Sequence, residues 1–194
     1  MSDLMNAGYQ QVMRLLAAVR EMDRRLTERM ASWREPALHR TLSAVEEAAE
    51  GSKLWCGAAV AMAWVGGREG RKAAVAGVTA LLLAQLVSNG VCKQVSGRPR
   101  PPKEWIPHDE VEDRPSSSSF PSGHTAAAVA FTAAVTPSWP SAGTVCAVPA
   151  ALVALERVQS GAHYPSDVVA GAALGLLSAW LVRRLPERVP RRWR

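Results

Sequence analysis

Two of the four histidines in this chain stand in settings suited to proton or phosphoryl transfer. His124 closes Pro121-Ser122-Gly123-His124, which follows the serine run Ser116–Ser119 and opens an alanine-rich helical pattern. A loop running into a helix start reads this way. A helix N-terminus offers unpaired N–H groups and partial positive charge to an anion. Gly123 permits close backbone approach to a ligand, and His124 would stand beside that ligand as a proton donor. His163 lies in Arg157-Val-Gln-Ser-Gly-Ala-His163-Tyr-Pro-Ser-Asp167. Pro165 suits the first turn of a helix, and Asp167 in that turn can accept the imidazole N–H of His163. That contact fixes the tautomer and leaves the opposite ring nitrogen able to attack. A third cluster, Lys93-Gln-Val-Ser-Gly-Arg98-Pro99-Arg100-Pro101, is cationic and stiffened by proline. Arginine presents a planar fork to phosphate oxygens, and lysine adds a point charge. Each cluster alone also has a plain structural reading: a serine cap, an aspartate cap beside a loop histidine, a basic membrane flank.

The elements around the clusters decide between these readings. From Leu54 the composition turns apolar, in five segments at 54–66, 73–91, 125–136, 143–155 and 168–182. Only the second approaches the ~20 residues that span a bilayer. The others are short enough for core helices of a soluble bundle, so that alternative stays open. Few charges and many small residues, Gly171 and Gly175 among them, favour helices packed closely in lipid. The expectation is an all-α polytopic membrane bundle of about five apolar helices over 51–185. An amphipathic segment, 1–50, precedes it, and a basic tail, 186–194, follows. In an up-down bundle the second-to-third and fourth-to-fifth connections share one end, so the three clusters meet there. Lys93, Arg100 and Arg157 would hold a phosphoryl group. His124 and His163 would flank it, one attacking and one protonating the leaving oxygen in line. Cations can stabilise the equatorial oxygens, so the chemistry calls for no metal and no other cofactor. The loop 92–123 carries six prolines and cannot be helical throughout. Its upper part, with His108, Asp109, Glu110, Glu112 and Asp113, reads as an acidic lid that shapes headgroup choice.

Charge narrows the partners. The 194 residues are 48% hydrophobic with net charge +6, and the pI is near 9.8. Six arginines crowd into the last twelve residues, after an apolar run. That is a cytoplasmic membrane flank rather than a nucleic-acid groove. The mean hydropathy of −0.03 averages a charged N-terminal quarter with an apolar remainder. Cys56, Cys92 and Cys146 have no pair spacing and read as packing residues. Apolar residues at spacings of three and four make 4–31 an amphipathic helix, and 36–50 a second, shorter one. They are free to lie on a membrane surface, to pack on the rest of the chain, or to pair with another copy as a homo-oligomer. Arg68, Arg71 and Lys72 fall with the C-terminal arginines at the end opposite the clusters. The clusters would therefore face away from the cytoplasm. With five spans the N-terminal segment would lie on that same side, in tension with its seven arginines.

Together the clusters resemble the signature of the type 2 phosphatidic acid phosphatase superfamily. The family pattern is Lys, six residues, Arg-Pro; then Pro-Ser-Gly-His; then Ser-Arg, five residues, His, three residues, Asp. Lys93 to Arg100-Pro101, Pro121 to His124, and Arg157, His163 and Asp167 match it in order and spacing, across roughly 54–183. The one departure is Glu156 where the family usually has serine. The resemblance implies a phosphohistidine on His163, oriented by Asp167, with His124 as general acid and then base. It implies phosphate contacts from Lys93, Arg100, Ser122, Gly123 and Arg157, and a membrane lipid phosphate or diphosphate as substrate. Phosphatidic acid, phosphatidylglycerol phosphate and polyprenyl diphosphate all suit such a site. A soluble acid phosphatase, a vanadium-dependent haloperoxidase-like enzyme and a non-enzymatic membrane scaffold are the alternatives.

Overall fold

The computed structural model describes residues 2–33, 35–106 and 116–184. The acidic stretch His108 to Asp113 and the tail 186–194 lie outside the described residues. Two N-terminal helices, α1 (Ser2–Ala31) and α2 (Pro36–Ala49), precede α3 (Lys53–Val65) and α4 (Gly67–Val87). A π-helical turn, Ser88–Cys92, carries α4 into the short α5 (Lys93–Ser96). After the loop come α6 (Gly123–Val135), α7 (Pro140–Gln159) and α8 (Pro165–Arg184). No strand occurs among the described residues.

Among the described residues, three helices are long and apolar enough to cross a membrane: Gly67–Ser96, Pro140–Gln159 and Pro165–Arg184. The other two apolar segments, α3 and α6, are 13 residues each. α6 is central and packs against α4, α7 and α8. Its contacts with α4 and α8 are made largely by Ala80, Ala84, Ala126, Ala130 and Ala179, all buried. On the α3 side Trp55 meets Phe131 with ring centroids 5.4 Å apart. Large apolar side chains point the other way. Trp64, Val75, Leu82, Leu86, Val145, Val169, Leu176 and Trp180 are exposed on the bundle's outer face. Small residues inside and bulky apolar ones outside is the inverse of a water-soluble bundle, and it is what a lipid surround requires. The chain is a membrane protein.

The connections alternate ends. Arg68, Arg71 and Lys72 at the start of α4 line one groove with Pro137 and Ser138 of the α6–α7 turn and with Arg183 and Arg184 of α8. Lys93, His124, Arg157 and Asp167 lie at the other end. The N-terminal helices also reach that end. α1 sets Ala31 against Ile106 of the long loop, and α2 packs on α7. The apolar stripe of α1 from Tyr9 to Met22 is exposed along its length.

Candidate active site

The three clusters are joined by main-chain hydrogen bonds before any side chain is considered. The Ser119 N–H donates to the Arg98 carbonyl at 2.9 Å, tying the serine run to the cationic strand. The Ser122 N–H donates to the Asp167 carbonyl at 3.0 Å, tying the start of α6 to the start of α8. The His163 N–H donates to the Arg157 carbonyl at 2.8 Å. That last contact needs a sharp turn after α7, and Gly161 makes it with φ +68°, a left-handed conformation that glycine adopts without strain.

Ser122 caps α6, its hydroxyl accepting the Thr125 N–H at 3.4 Å. This places Gly123 and His124 on the first turn. Burial first, and then the charges of Arg157, His163, Lys93 and Arg100, hold the pKa of the His124 ring down to about 3, so all three clusters converge there. Lys93 follows the π turn Ser88–Cys92, a local widening of the helix often found at functional sites. Arg157 sits on the last turn of α7 rather than in the following loop. Arg100 donates to the Ala162 carbonyl at 2.6 Å and to the Ser117 carbonyl at 3.2 Å. Its guanidinium is thereby held beside His163.

His163 is 2% exposed. Its Nδ1 lies 2.6 Å from the Ser119 carbonyl oxygen. A carbonyl only accepts, so Nδ1 carries the proton and Nε2 keeps its lone pair. Burial holds the imidazole below its ordinary pKa. Arg100 and Arg157 push the same way and Asp167 opposes them. The neutral ring with a bare Nε2 is the nucleophilic form. Asp167 stands 3.8 Å from Nδ1, and the Ser119 carbonyl takes the hydrogen bond expected for the carboxylate. Asp167 instead accepts from Arg98 at 2.6 Å and from the Tyr164 N–H at 2.9 Å. A backbone acceptor on an adjacent loop leaves no mark in side-chain spacing, so Ser119 was not readable beforehand.

Glu156, where serine was expected, is buried and pairs with the Nε of Arg157. Glu46 of α2 takes the other side of that guanidinium at 2.7 Å. Arg98, named in the cationic cluster without a role, pairs with Asp167, and Glu46 reaches the site through Arg157 as a residue the motifs did not mark.

A helical membrane bundle whose one end gathers cations and two histidines beside a helix N-terminus defines a class: a helical membrane protein with a cationic, histidine-bearing site at one end of the bundle. The chain belongs to the PAP2 superfamily, whose family model matches residues 73–191. A transmembrane PAP2 type phosphatidylglycerolphosphate phosphatase from Bacillus subtilis superposes with a TM-score of 0.64 at 26% identity, over 91% of this chain and 90% of that one. LpxE of Aquifex aeolicus shares the fold, with a TM-score of 0.66 at 22% identity over 82% of this chain and 93% of that one. The undecaprenyl-diphosphatase of Sulfolobus acidocaldarius is 36% identical over 125 residues, 62% of this chain and 58% of that protein. A lipid A 1-phosphatase of Rhizobium johnstonii is 46% identical over 65 residues, 32% of this chain and 24% of that protein. The chain thus spans from a quarter to somewhat over half of these curated relatives.

Proposed function

We propose that this protein hydrolyses a phosphate from a membrane lipid phosphate or diphosphate through a phosphohistidine intermediate on His163. The observation that carries the reading is the bare Nε2 of a buried His163, set by the Nδ1 contact to the Ser119 carbonyl, among Lys93, Arg100 and Arg157. Nε2 attacks phosphorus, a P–N bond forms, and the P–O bond to the lipid breaks. His124 gives its proton to the departing oxygen. Water then attacks the phosphohistidine while His124 takes a proton from it. The P–N bond breaks, and inorganic phosphate leaves. Lys93, Arg100 and Arg157, with Ser122 and the Gly123 backbone, hold the equatorial oxygens throughout.

The relatives' names cover a phosphatidylglycerolphosphate, a polyprenyl diphosphate and a lipid A phosphate. A lipid carrying a terminal phosphoryl group is their common chemistry. The basic groove at the opposite end, with Arg68, Arg71, Lys72, Arg183 and Arg184, favours a cell-membrane orientation with that end in the cytoplasm and the site outside. The N-terminal helices then lie outside with the site, their arginines offset by Glu21, Glu28 and other acids in the same segment.

The test is phosphate release in detergent, with EDTA present, from a panel holding phosphatidic acid, phosphatidylglycerol phosphate and a polyprenyl diphosphate. Turnover of at least one, unaffected by EDTA, is expected. The pH profile carries a sign. His163 must be neutral to attack, and its pKa is held below the ordinary value of about 6.5. On the His163 side, activity should therefore persist as pH falls through ~6.5 and decline only below it. His124, held down to about 3 by burial and by the cations around it, serves as the acid once the bound phosphoryl charge has raised it. No turnover of any lipid phosphate, or abolition by EDTA, would overturn the reading.

Substrate phosphate must compete with Glu46 for the Arg157 guanidinium. Glu46 is 43% exposed, so the pair is worth only about 0.2–1 kcal/mol. Glu46→Gln should lower KM by roughly one and a half- to fivefold with kcat little changed. Steady-state kinetics on the preferred lipid would measure it.

A further inference from the structure

Helix α1 lies outside the stretch matched by the family, 73–191, yet one of its residues is built into the site. Asp23 is 3% exposed. Its Oδ1 accepts the Ser166 main-chain N–H at 2.9 Å, and its Oδ2 accepts the Ser166 hydroxyl at 2.6 Å. Ser166 is in the first turn of α8, whose early N–H groups have no partner within the helix. Asp23 therefore caps α8 from 143 residues away, and its negative charge lies favourably at that helix's N-terminus. Oδ2 also accepts from Arg98 at 2.7 Å.

Arg98 is the hinge of the arrangement. One nitrogen goes to Asp23; the other donates to Asp167 at 2.6 Å and to the Ser166 hydroxyl at 2.8 Å. Its guanidinium lies over the Tyr164 ring, 4.2 Å from the centroid. A planar fork shared by two carboxylates and stacked on an aromatic face has little freedom. Every part of this unit flanks His163: Tyr164 follows it, Ser166 and Asp167 complete the turn, and Asp167 stands 3.8 Å from the ring.

We propose that Asp23 is a positioning residue for the nucleophile: it caps α8 and shares Arg98 with Asp167, making α1 part of the catalytic centre. This rests on the reading of His163 as nucleophile. With Asp23 in place, Arg98 is divided between two carboxylates, and Asp167 keeps part of its charge to support a cationic His163. Without Asp23, Arg98 neutralises Asp167 alone. The charged groups that bear on His163 are Asp167 from α8, Arg100 from the loop and Arg157 from α7, with His124 of α6 close by. Arg98 acts through Asp167. Cations dominate that set, so loss of one nearby negative charge makes protonation of His163 harder.

The test compares Asp23→Asn, Asp23→Glu and Ile106→Ala with wild type in the full-length protein, on one lipid phosphate across pH. Ile106→Ala loosens the docking of α1 on Ala31 without touching a charge. Asp23→Asn should lower kcat at least about tenfold, leave KM within about twofold, and move the acid limb of kcat/KM down by roughly half a unit or more. The substrate's own ionisation is common to all variants and cancels. Asp23→Glu keeps the charge and shifts it by one methylene. It should lose kcat and leave the limb in place. Ile106→Ala should lower the thermal midpoint and leave the limb in place. An unmoved limb in Asp23→Asn, or a kcat loss that merely tracks thermal midpoint across the three variants, would overturn the proposal. His163→Ala is run beside them. If it is inactive while Asp23→Asn behaves as wild type, only the role of Asp23 falls. If it is active, the nucleophile assignment falls and the role of Asp23 with it.

Discussion

Replacing His163 by alanine is expected to reduce phosphate release by at least about four orders of magnitude while the protein still folds. Loss of a nucleophile removes the whole covalent route, and what survives is substrate binding and electrostatic stabilisation alone. Folding should survive because His163 belongs to a short loop rather than to either alanine-lined or aromatic core of the bundle. The local cost is one unpaired carbonyl at Ser119, about 1–3 kcal/mol if it stays dry. A brief incubation with substrate carrying radiolabelled phosphate, stopped in alkali where a P–N bond persists, should leave label on wild type and none on His163→Ala. His124→Ala gives the complementary result. Attack can still occur with a good leaving group, but water is no longer activated, so label should accumulate. Label on the His163 variant would move the nucleophile elsewhere. Lack of label on both proteins with activity intact would point to direct attack by water.

These outcomes depend on histidines that could be read from local spacing, whereas their supports could not. Pro-Ser-Gly-His is legible because a cap, a glycine and a histidine sit within four consecutive positions. The apolar segments were legible as helices, but their ends were not. The fourth was expected to stop at 155, and α7 runs on to Gln159. Glu156, Arg157 and Gln159 are polar, which reads as an exit from the helix, yet all three are buried. Glu156 and Arg157 pair with each other, so an ion pair replaces apolar contact there. The second was expected from 73, and α4 starts at Gly67, because Arg68, Glu69, Arg71 and Lys72 form a charged first turn at the basic end. Asp23 is the extreme case. On an amphipathic helix with many charges it looks like one more solvated acid. Only a contact between residues 23 and 166 distinguishes it, and no local pattern encodes such a pairing. The serine run is a related case. Its low complexity reads as a spacer, but Ser117 and Ser119 offer main-chain carbonyls to Arg100 and His163, and a carbonyl is present in every residue type.

A single methyl group at position 171 should also cost activity, by a wholly different route from the loss of His163. Gly171 of α8 faces the start of α6 so closely that a Cβ there would lie 2.4 Å from the Ser122 carbonyl oxygen and 3.3 Å from its carbon. Both obstacles are backbone, so no rotamer change relieves them, and the two helices must move apart. Overpacking of this kind costs about 1–3 kcal/mol. The movement falls where it matters most. The Ser122 N–H is bonded to the Asp167 carbonyl at 3.0 Å, and Ser122 caps the turn bearing His124 while Asp167 belongs to the turn beside His163. Separating α6 from α8 therefore separates His124 from His163. A misplacement of about 1 Å between reacting groups can cost on the order of a hundredfold in rate. Gly171→Ala should show a lower thermal midpoint in detergent and a kcat reduced roughly a hundredfold. Gly175→Ala is the control, one turn further along α8. Its Cβ would lie 2.6 Å from the Ala126 carbonyl oxygen and 2.9 Å from the Ala130 nitrogen, so its stability loss should be similar. Its pivot is further from the histidines, so its activity loss should be smaller. If both variants lose stability equally and Gly171→Ala keeps the wild-type rate, the close approach of α8 to Ser122 serves the bundle and not the chemistry.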